Sequence, residues 1–240
     1  FTTVATNPCG EIPLCPYDSC RLLAINLLSY VDKPFTKEAS FNFEKFKQHV
    51  EKAMRMMDDI IDLELEKVEL IINKIAADPE DEDIRRVEME LWKKIRTMAR
   101  KGRRTGLGIT AEGDMLAALG LRYGTPEATA FAVKVQKTLA LEAYRASVKM
   151  AAERGAFEIF DARKEEKNPM IGRIREADPE LYAEMVKHGR RNIAMLTIAP
   201  TGTTSLMSQT TSGIEPVFRP VYKRRRKICL LYTSDAADDL

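Results

Sequence analysis

The sequence has little cysteine, almost no histidine, almost no net charge and no long apolar run. Four cysteines in 240 residues are too few for a disulfide-stapled secreted domain, so a reducing, cytoplasmic setting is expected. Two histidines, His49 and His188, both in segments with helical periodicity, leave little for a histidine-rich metal centre. No stretch approaches the roughly 20 apolar residues of a membrane span, and no signal-peptide pattern opens the chain, so no membrane partner is expected. The 38 basic and 36 acidic residues leave a net charge of +2, which gives no general reason to expect a nucleic-acid partner. The remaining composition, 45% hydrophobic and 31% charged, is that of a globular chain long enough for one large domain or two small ones. The first residue is Phe1 rather than Met, and "FTTVAT" reads as a β-branched strand already under way. The chain therefore reads as an internal piece of something longer.

Along the chain, long helices alternate with short buried strands, which predicts an α/β fold with parallel strands at the core. The apolar run of residues 20–31, "CRLLAINLLSYV", suits a buried strand. Phe43, Phe46, Val50, Met54, Met57, Ile61, Leu65, Val68 and Ile72 recur at three- and four-residue steps and predict one long helix. Asp58, Asp59, Asp62, Glu64 and Glu66 crowd its middle and read as a solvated helix face rather than a metal site. Helices are also predicted over 78–95, with Pro79 near the first turn, over 111–120 with a stop at Gly120, over 125–155 and over 178–189. Residues 103–110, "RRTGLGIT", read as a short strand or tight turn, and 192–205 as a strand ending in a polar loop. "GLGITA" satisfies the G-x-G-x-x-A dinucleotide pattern, but it follows "KGRRT" rather than an apolar strand and reads as a decoy. "KRRRK", residues 223–227, reads as a solvated basic segment.

Three of the cysteines, Cys9, Cys15 and Cys20, fall within twelve residues. Their C-x5-C and C-x4-C spacings fit neither a zinc knuckle nor an iron–sulfur site. A buried structural thiol is the plain reading of each, and Cys15 is taken that way. Cys9 differs in its neighbours. Asn7 and Glu11 stand at i−2 and i+2, and in an extended loop alternation would point all three side chains the same way. A thiol, an amide and a carboxylate sharing one volume supply nucleophilic or one-electron sulfur chemistry, hydrogen bonding and a general base. Farther on, Pro200, Thr201, Gly202, Thr203, Thr204 and Ser205 follow a strand and open a helix. They offer backbone N–H groups and hydroxyls to an anion, or else an ordinary Ser/Thr helix cap.

"NPCGE" resembles the finger-loop motif of ribonucleotide reductases, and is closest to the class II, adenosylcobalamin-dependent enzymes; class I large chains tend to carry N-L-C-x-E here. The resemblance continues through "PYDSCRLLAINLLSYV", "GRRTGLGITAEGDMLAALG" and "NIAMLTIAPTGTTSLMSQTTSGIEPVF", in family order, over roughly residues 2–222. It implies a part of a ten-stranded α/β barrel of two half-barrels around a central finger loop, here in a helix-rich fragment. It implies a catalytic set: Cys9 as the thiyl radical that abstracts the ribose 3′-hydrogen, Glu11 as acceptor of the 3′-hydroxyl proton, Asn7 as a hydrogen-bonding amide, and Cys20 as one of two reducing cysteines. The 200–205 loop would hold the substrate's diphosphate. The role of "SGIEPVF", residues 212–218, stays open.

The activity so implied is reduction of ribonucleotides, at the diphosphate level, to deoxyribonucleotides. The cofactor is adenosylcobalamin, a thioredoxin-like protein is the reductant, and nucleotide effectors act through regions outside this chain. A homodimer is among the assemblies it allows. Three rivals stay open: a class I large subunit, a non-catalytic helical interaction module, and, more weakly, a metal-binding module built on the three cysteines. The catalytic part is read as residues 1–228. Residues 229–240, "CLLYTSDAADDL", break continuity and back-translate to TGT CTC TTA TAC ACA TCT GAC GCT GCC GAC, which resembles a transposon sequencing adapter. They read as adapter-derived rather than native.

Overall fold

A computed structural model of the 240-residue chain describes residues 2–219, 221 and 223. The basic segment beyond residue 223 and the tail read as adapter-derived lie outside the described residues.

The chain opens with a small antiparallel hairpin, Ala5–Thr6 (β1) paired with Pro13–Leu14 (β2). The first strand is shorter than "FTTVAT" suggests, and both of its residues are exposed. Arg21–Asn26 (β3) follows. The expected strand over 20–31 is cut at Asn26, whose side chain accepts the Leu28 N–H and starts a 3₁₀ turn over Leu27–Tyr30. An Asn that bonds the backbone locally offers it an alternative to the sheet. Two short strands, Val31–Asp32 (β4) and Ser40–Phe41 (β5), pair antiparallel and lead into the first helix.

Phe43–Ala77 (α1) is the long helix that the periodicity predicts. Asn42 caps it by accepting from the Lys45 N–H. Its stripe from Phe46 through Val50, Met54, Met57 and Ile61 to Val68 and Ile72 is buried. The next helix, Glu82–Gly102 (α2), begins three residues after Pro79, because Asp81 supplies the cap. It ends at Arg103, whose left-handed backbone turns the chain into Thr105–Thr110 (β6). Every residue of β6 is buried. Glu112–Ala118 (α3) and Pro126–Arg154 (α4) follow; Thr125 caps α4 and Gly155 closes it. Pro169–Ala177 (α5), which the periodicity does not single out, precedes Pro179–His188 (α6). Each of these two is opened by an Asx cap before a proline, and Asp178 serves both as the end of α5 and the cap of α6. Gly202–Ser208 (α7) is the last helix.

The parallel core is present: β3 and β6 pair in parallel from Arg21↔Thr105 to Asn26↔Thr110. The expected strand over 192–205 is reduced to one parallel bridge, Leu107↔Leu196, with hydrogen bonds from the Thr105, Leu107 and Thr197 N–H groups to Ala194, Met195 and Leu107. This segment lies along the second edge of β6, so β6 sits between two neighbours. The glycines of "GLGITA" explain why it fits there. A Cβ on Gly108 would stand 2.1 Å from the Thr197 carbonyl oxygen, and one on Gly106 2.8 Å from the Cys20 sulfur. The motif is thus the interior of a tightly flanked strand, not a phosphate turn. α1 packs across β3 and β6 and against α2 and α4, and the main core includes Met54 and Met57 together with Ile25, Leu107, Ile109 and Leu139. The architecture is α/β and rich in helix.

The acidic middle of α1 is not a solvated face throughout. Asp58 is fully buried and accepts from Arg103 Nε at 2.8 Å, Arg191 Nε at 3.1 Å and Asn192 Nδ2 at 3.1 Å. Asp62 takes Arg103 Nη1 at 2.8 Å, and Glu64 is paired with Arg21. The partners come from distant parts of the chain, so the helix's own sequence does not reveal them.

Candidate active site

The turn between β1 and β2 carries Asn7, Cys9 and Glu11. It is not extended. The Gly10 N–H donates to the Asn7 carbonyl at 2.9 Å and the Asn7 N–H to the Ile12 carbonyl at 3.0 Å. Pro8 and Gly10 occupy the second and fourth places of the resulting β-turn, where their conformations suit it. Alternation along an extended strand is therefore not what brings Asn7 and Glu11 together; the reversal of the chain is. Asn7 Nδ2 donates to Glu11 Oε1 at 3.0 Å. Glu11 Oε2 is buried and has no hydrogen-bond partner among the described residues. Cys9 is a free, exposed thiol at the tip of the same turn. The turn thus offers one exposed sulfur and a carboxylate whose Oε1 is held by the Asn7 amide and whose Oε2 has no partner among the described residues.

Thr197 joins this turn to the sheet. Its hydroxyl donates to the Glu11 carbonyl at 2.8 Å. The same residue's methyl group and the Cys20 sulfur both lie 2.8 Å from where a Gly106 Cβ would stand. Cys20 and Thr197 are therefore neighbours across the bare backbone of Gly106, and the Glu11 backbone is fastened to one of them. Cys20 is half-buried and free. Burial pushes its thiol up to about 11, against the opposing pull of the Arg104 and Arg21 charges. It keeps its proton at neutral pH. Cys15 is a free thiol in the core, as expected of a small apolar residue.

The 200–205 loop is divided by burial. Thr201 and Ser205 are buried, while Pro200, Gly202, Thr203 and Thr204 are exposed. Thr201 does not cap α7 through its side chain, which corrects the reading of an ordinary Ser/Thr cap. Its hydroxyl is instead shared with Thr110 at 2.8 Å and Ser212 at 3.1 Å, and accepts the Gly213 N–H at 2.9 Å. Nothing crowds Gly202, and Thr203 and Thr204 are the two loop threonines left facing outward.

"SGIEPVF" gains a place in the structure: Ser212 and Gly213 complete this buried hydroxyl cluster, and Glu215 and Pro216 pack on the backbone of Gly113. Asp114 accepts the Thr211 N–H at 2.7 Å and so fastens the segment to α3.

Sequence reasoning missed Thr197, Thr110 and Asp114, which support the site without any distinctive motif of their own. The available signal was the G-x-G of β6, which demands a close neighbour on each side. Among the described residues, no group of three or more His, Cys, Asp or Glu side chains is arranged to hold a metal ion, and no helix is long and apolar enough to cross a membrane.

The family described as "Ribonucleotide reductase, barrel domain" matches residues 2–230. The chain is 34% identical over 220 residues to a vitamin B12-dependent ribonucleoside-diphosphate reductase of Thermoplasma acidophilum, covering 92% of this chain and 23% of that protein. It is 32% identical over 221 residues to the protein of the same name from Mycobacterium tuberculosis strain H37Rv, covering 92% of this chain and 24% of that one. The chain thus spans about a quarter of the length of the curated relatives it matches. Among solved structures, it is similar to the class Id ribonucleotide reductase alpha subunit of Actinobacillus ureae, with a TM-score of 0.59 and 22% identity over 90% of this chain and 32% of that one. That likeness bears on the fold alone. A turn with a free cysteine and a half-satisfied carboxylate, set beside a second thiol at the edge of a parallel pair, thus sits in a chain that belongs to the ribonucleotide reductase barrel-domain family.

Proposed function

We propose that this chain is the cysteine-bearing part of a vitamin B12-dependent ribonucleoside-diphosphate reductase. The whole protein reduces ribonucleoside diphosphates to deoxyribonucleotides. The observation that carries this reading is Glu11: one oxygen held by Asn7, the other buried and without a partner among the described residues, on the same turn as the exposed Cys9. A buried carboxylate oxygen without a partner is costly unless an incoming group completes it. A ribose hydroxyl is such a group.

In this reading a sulfur radical on Cys9 takes the hydrogen from the ribose 3′-carbon. Glu11 accepts the 3′-hydroxyl proton, with Asn7 holding the carboxylate. The 2′-hydroxyl leaves as water. Two thiols, Cys20 and one that the resemblance puts upstream of Phe1, supply two electrons and two protons and end as a disulfide, so that R–OH and two thiols give R–H, a disulfide and water. A Cys20 thiol pushed up to about 11 suits this task, because it arrives with its proton. Cys9 is the residue that fits the cofactor, since its sulfur is exposed at the tip of the turn. Adenosylcobalamin, when bound, supplies the radical.

The outward Thr203 and Thr204 and the uncrowded Gly202 support a diphosphate lying against the 200–205 loop. The finer architecture belongs to the same proposal: a ten-stranded barrel of two half-barrels with this turn at its centre, to which β3, β6 and the 194–197 segment contribute. A thioredoxin-like reductant, nucleotide effectors, a homodimer and a cytoplasmic setting complete it.

The test uses the full-length protein carrying this chain. Glu11→Gln keeps the size and the Asn7 contact but removes the proton acceptor. It should lower kcat by about 10²–10⁴-fold with a small change in KM. Wild-type turnover in this variant would overturn the assignment.

A further inference from the structure

Cys20 lies in a short segment fastened at both ends by ion pairs, the first buried and the second partly buried. Before it, the Asp18 carboxylate accepts from Arg104 Nε at 2.7 Å, with side-chain exposures of 1% and 8%. Its other oxygen accepts the Ser19 N–H at 2.9 Å, which closes the loop locally. After it, Arg21 grips Glu64 of α1 with two nitrogens, and its remaining nitrogen donates to the Ser19 carbonyl at 3.1 Å and the Arg104 carbonyl at 3.3 Å. Arg21 stands opposite Thr105 in the parallel register, so Cys20 comes level with Arg104 at the entry of β6. Between these fastenings the thiol is pressed over Gly106, where no side chain fits.

The charged groups around the thiol are therefore Asp18 and Arg21 of its own segment, Arg104 from the start of β6, and Glu11 from the turn. Glu64 of α1 is engaged by Arg21. Each guanidinium is matched by one carboxylate. The Arg104 charge favours a thiolate, and Asp18 is the group that offsets it.

We propose that the Asp18–Arg104 pair is a positioning element for Cys20: it fixes the sulfur over Gly106 beside Thr197 and cancels the guanidinium charge next to it. The proposal rests on the reading of Cys20 as a thiol that delivers hydrogen. Neither Asp18 nor Arg104 touches substrate in this account; both act through the thiol.

The test is alkylation by iodoacetamide at pH 8 in the full-length protein, read at each cysteine by mass spectrometry of its peptide, with Cys9 as internal reference. Asp18→Asn leaves the Arg104 charge uncompensated. It should raise the Cys20 rate about tenfold, the change in thiolate fraction for one unit of pKa, while Cys9 is unchanged. The double variant Asp18→Asn/Arg104→Gln removes both charges and should return Cys20 to within about twofold of wild type, by the logic of a double-mutant cycle.

A Cys20 rate unmoved by Asp18→Asn overturns the proposal. So does a double variant that stays fast, since loosened packing would then explain the gain. Where Asp18→Asn fails to fold, Asp18→Glu and Arg104→Lys carry the test. Slow Cys20 in both supports the pair, and Cys20 as fast as Cys9 in either contradicts it. The readout needs no turnover, so it stands or falls apart from the reductase reading.

Discussion

Gly108 and Gly106 set the geometry of the site more sharply than any of its reactive residues. A methyl group at Gly108 would meet the Thr197 backbone oxygen at 2.1 Å, which no rotamer change relieves. Gly108→Ala should therefore destabilise the protein by about 1–3 kcal/mol, the usual range for overpacking, seen as a lower urea midpoint. An unchanged midpoint would mean that β6 and the 194–197 segment are not held this closely. The two glycines were legible in the sequence as a pattern, and so was the failure of the pattern to be a dinucleotide fingerprint. What was not legible is the neighbour. Thr197 is an ordinary residue in an apolar stretch, and its bond to the Glu11 carbonyl spans 186 positions of sequence. Asn7 and Glu11 were legible as neighbours of one another, and the structure joins them by a hydrogen bond. The way they meet was not, because a turn and an extended strand both place residues near in sequence on one side, and Gly10 with its positive φ decides for the turn.

At the scale of elements, Asp58 ties α1 to the entry of β6 through Arg103 and to the segment before residue 194 through Arg191 and Asn192. Ser147 of α4 closes the cluster by donating to Asn192 Oδ1 at 2.9 Å. Removing one member leaves buried charge unmatched, so Asp58→Asn should cost about 3–5 kcal/mol in urea unfolding. Burial alone would push the Asp58 carboxyl up, but the hydrogen bonds and charges of Arg103 and Arg191 outweigh burial and hold it below its usual value. A carboxyl depressed in the folded state stabilises above its unfolded value and loses that contribution as pH falls. Wild-type stability should thus fall below about pH 4, and Asp58→Asn should flatten that fall. Parallel acid slopes in the two proteins would count against it. The apolar stripe of α1 was legible because its period lies within the helix itself. The burial of Asp58 was not, since its partners Arg103 and Arg191 lie 45 and 133 positions away. The strand over 20–31 was overextended for a local reason, the bond from Asn26 to the Leu28 N–H.

For the whole molecule, family membership was legible from three motifs in order, while the closed barrel is not a property of this stretch alone: among the described residues, β3 pairs with β6 and with no other strand. The chain spans about a quarter of the length of its curated relatives, and the reaction is proposed for the full-length protein. The isolated 240-residue chain should show no turnover of ribonucleoside diphosphates; steady deoxyribonucleotide formation by it would contradict the assignment of the second thiol to a region upstream. The central claim, that Cys9 is the radical site of a cobalamin-dependent reductase, has one direct measurement. It is deoxyribonucleotide formation by the full-length protein with and without adenosylcobalamin, in wild type and Cys9→Ala. The account predicts product only in the wild type supplied with the cofactor. Product without cobalamin would place the protein with reductases that use another radical source, and product from Cys9→Ala would show that the exposed thiol of the turn does not start the reaction.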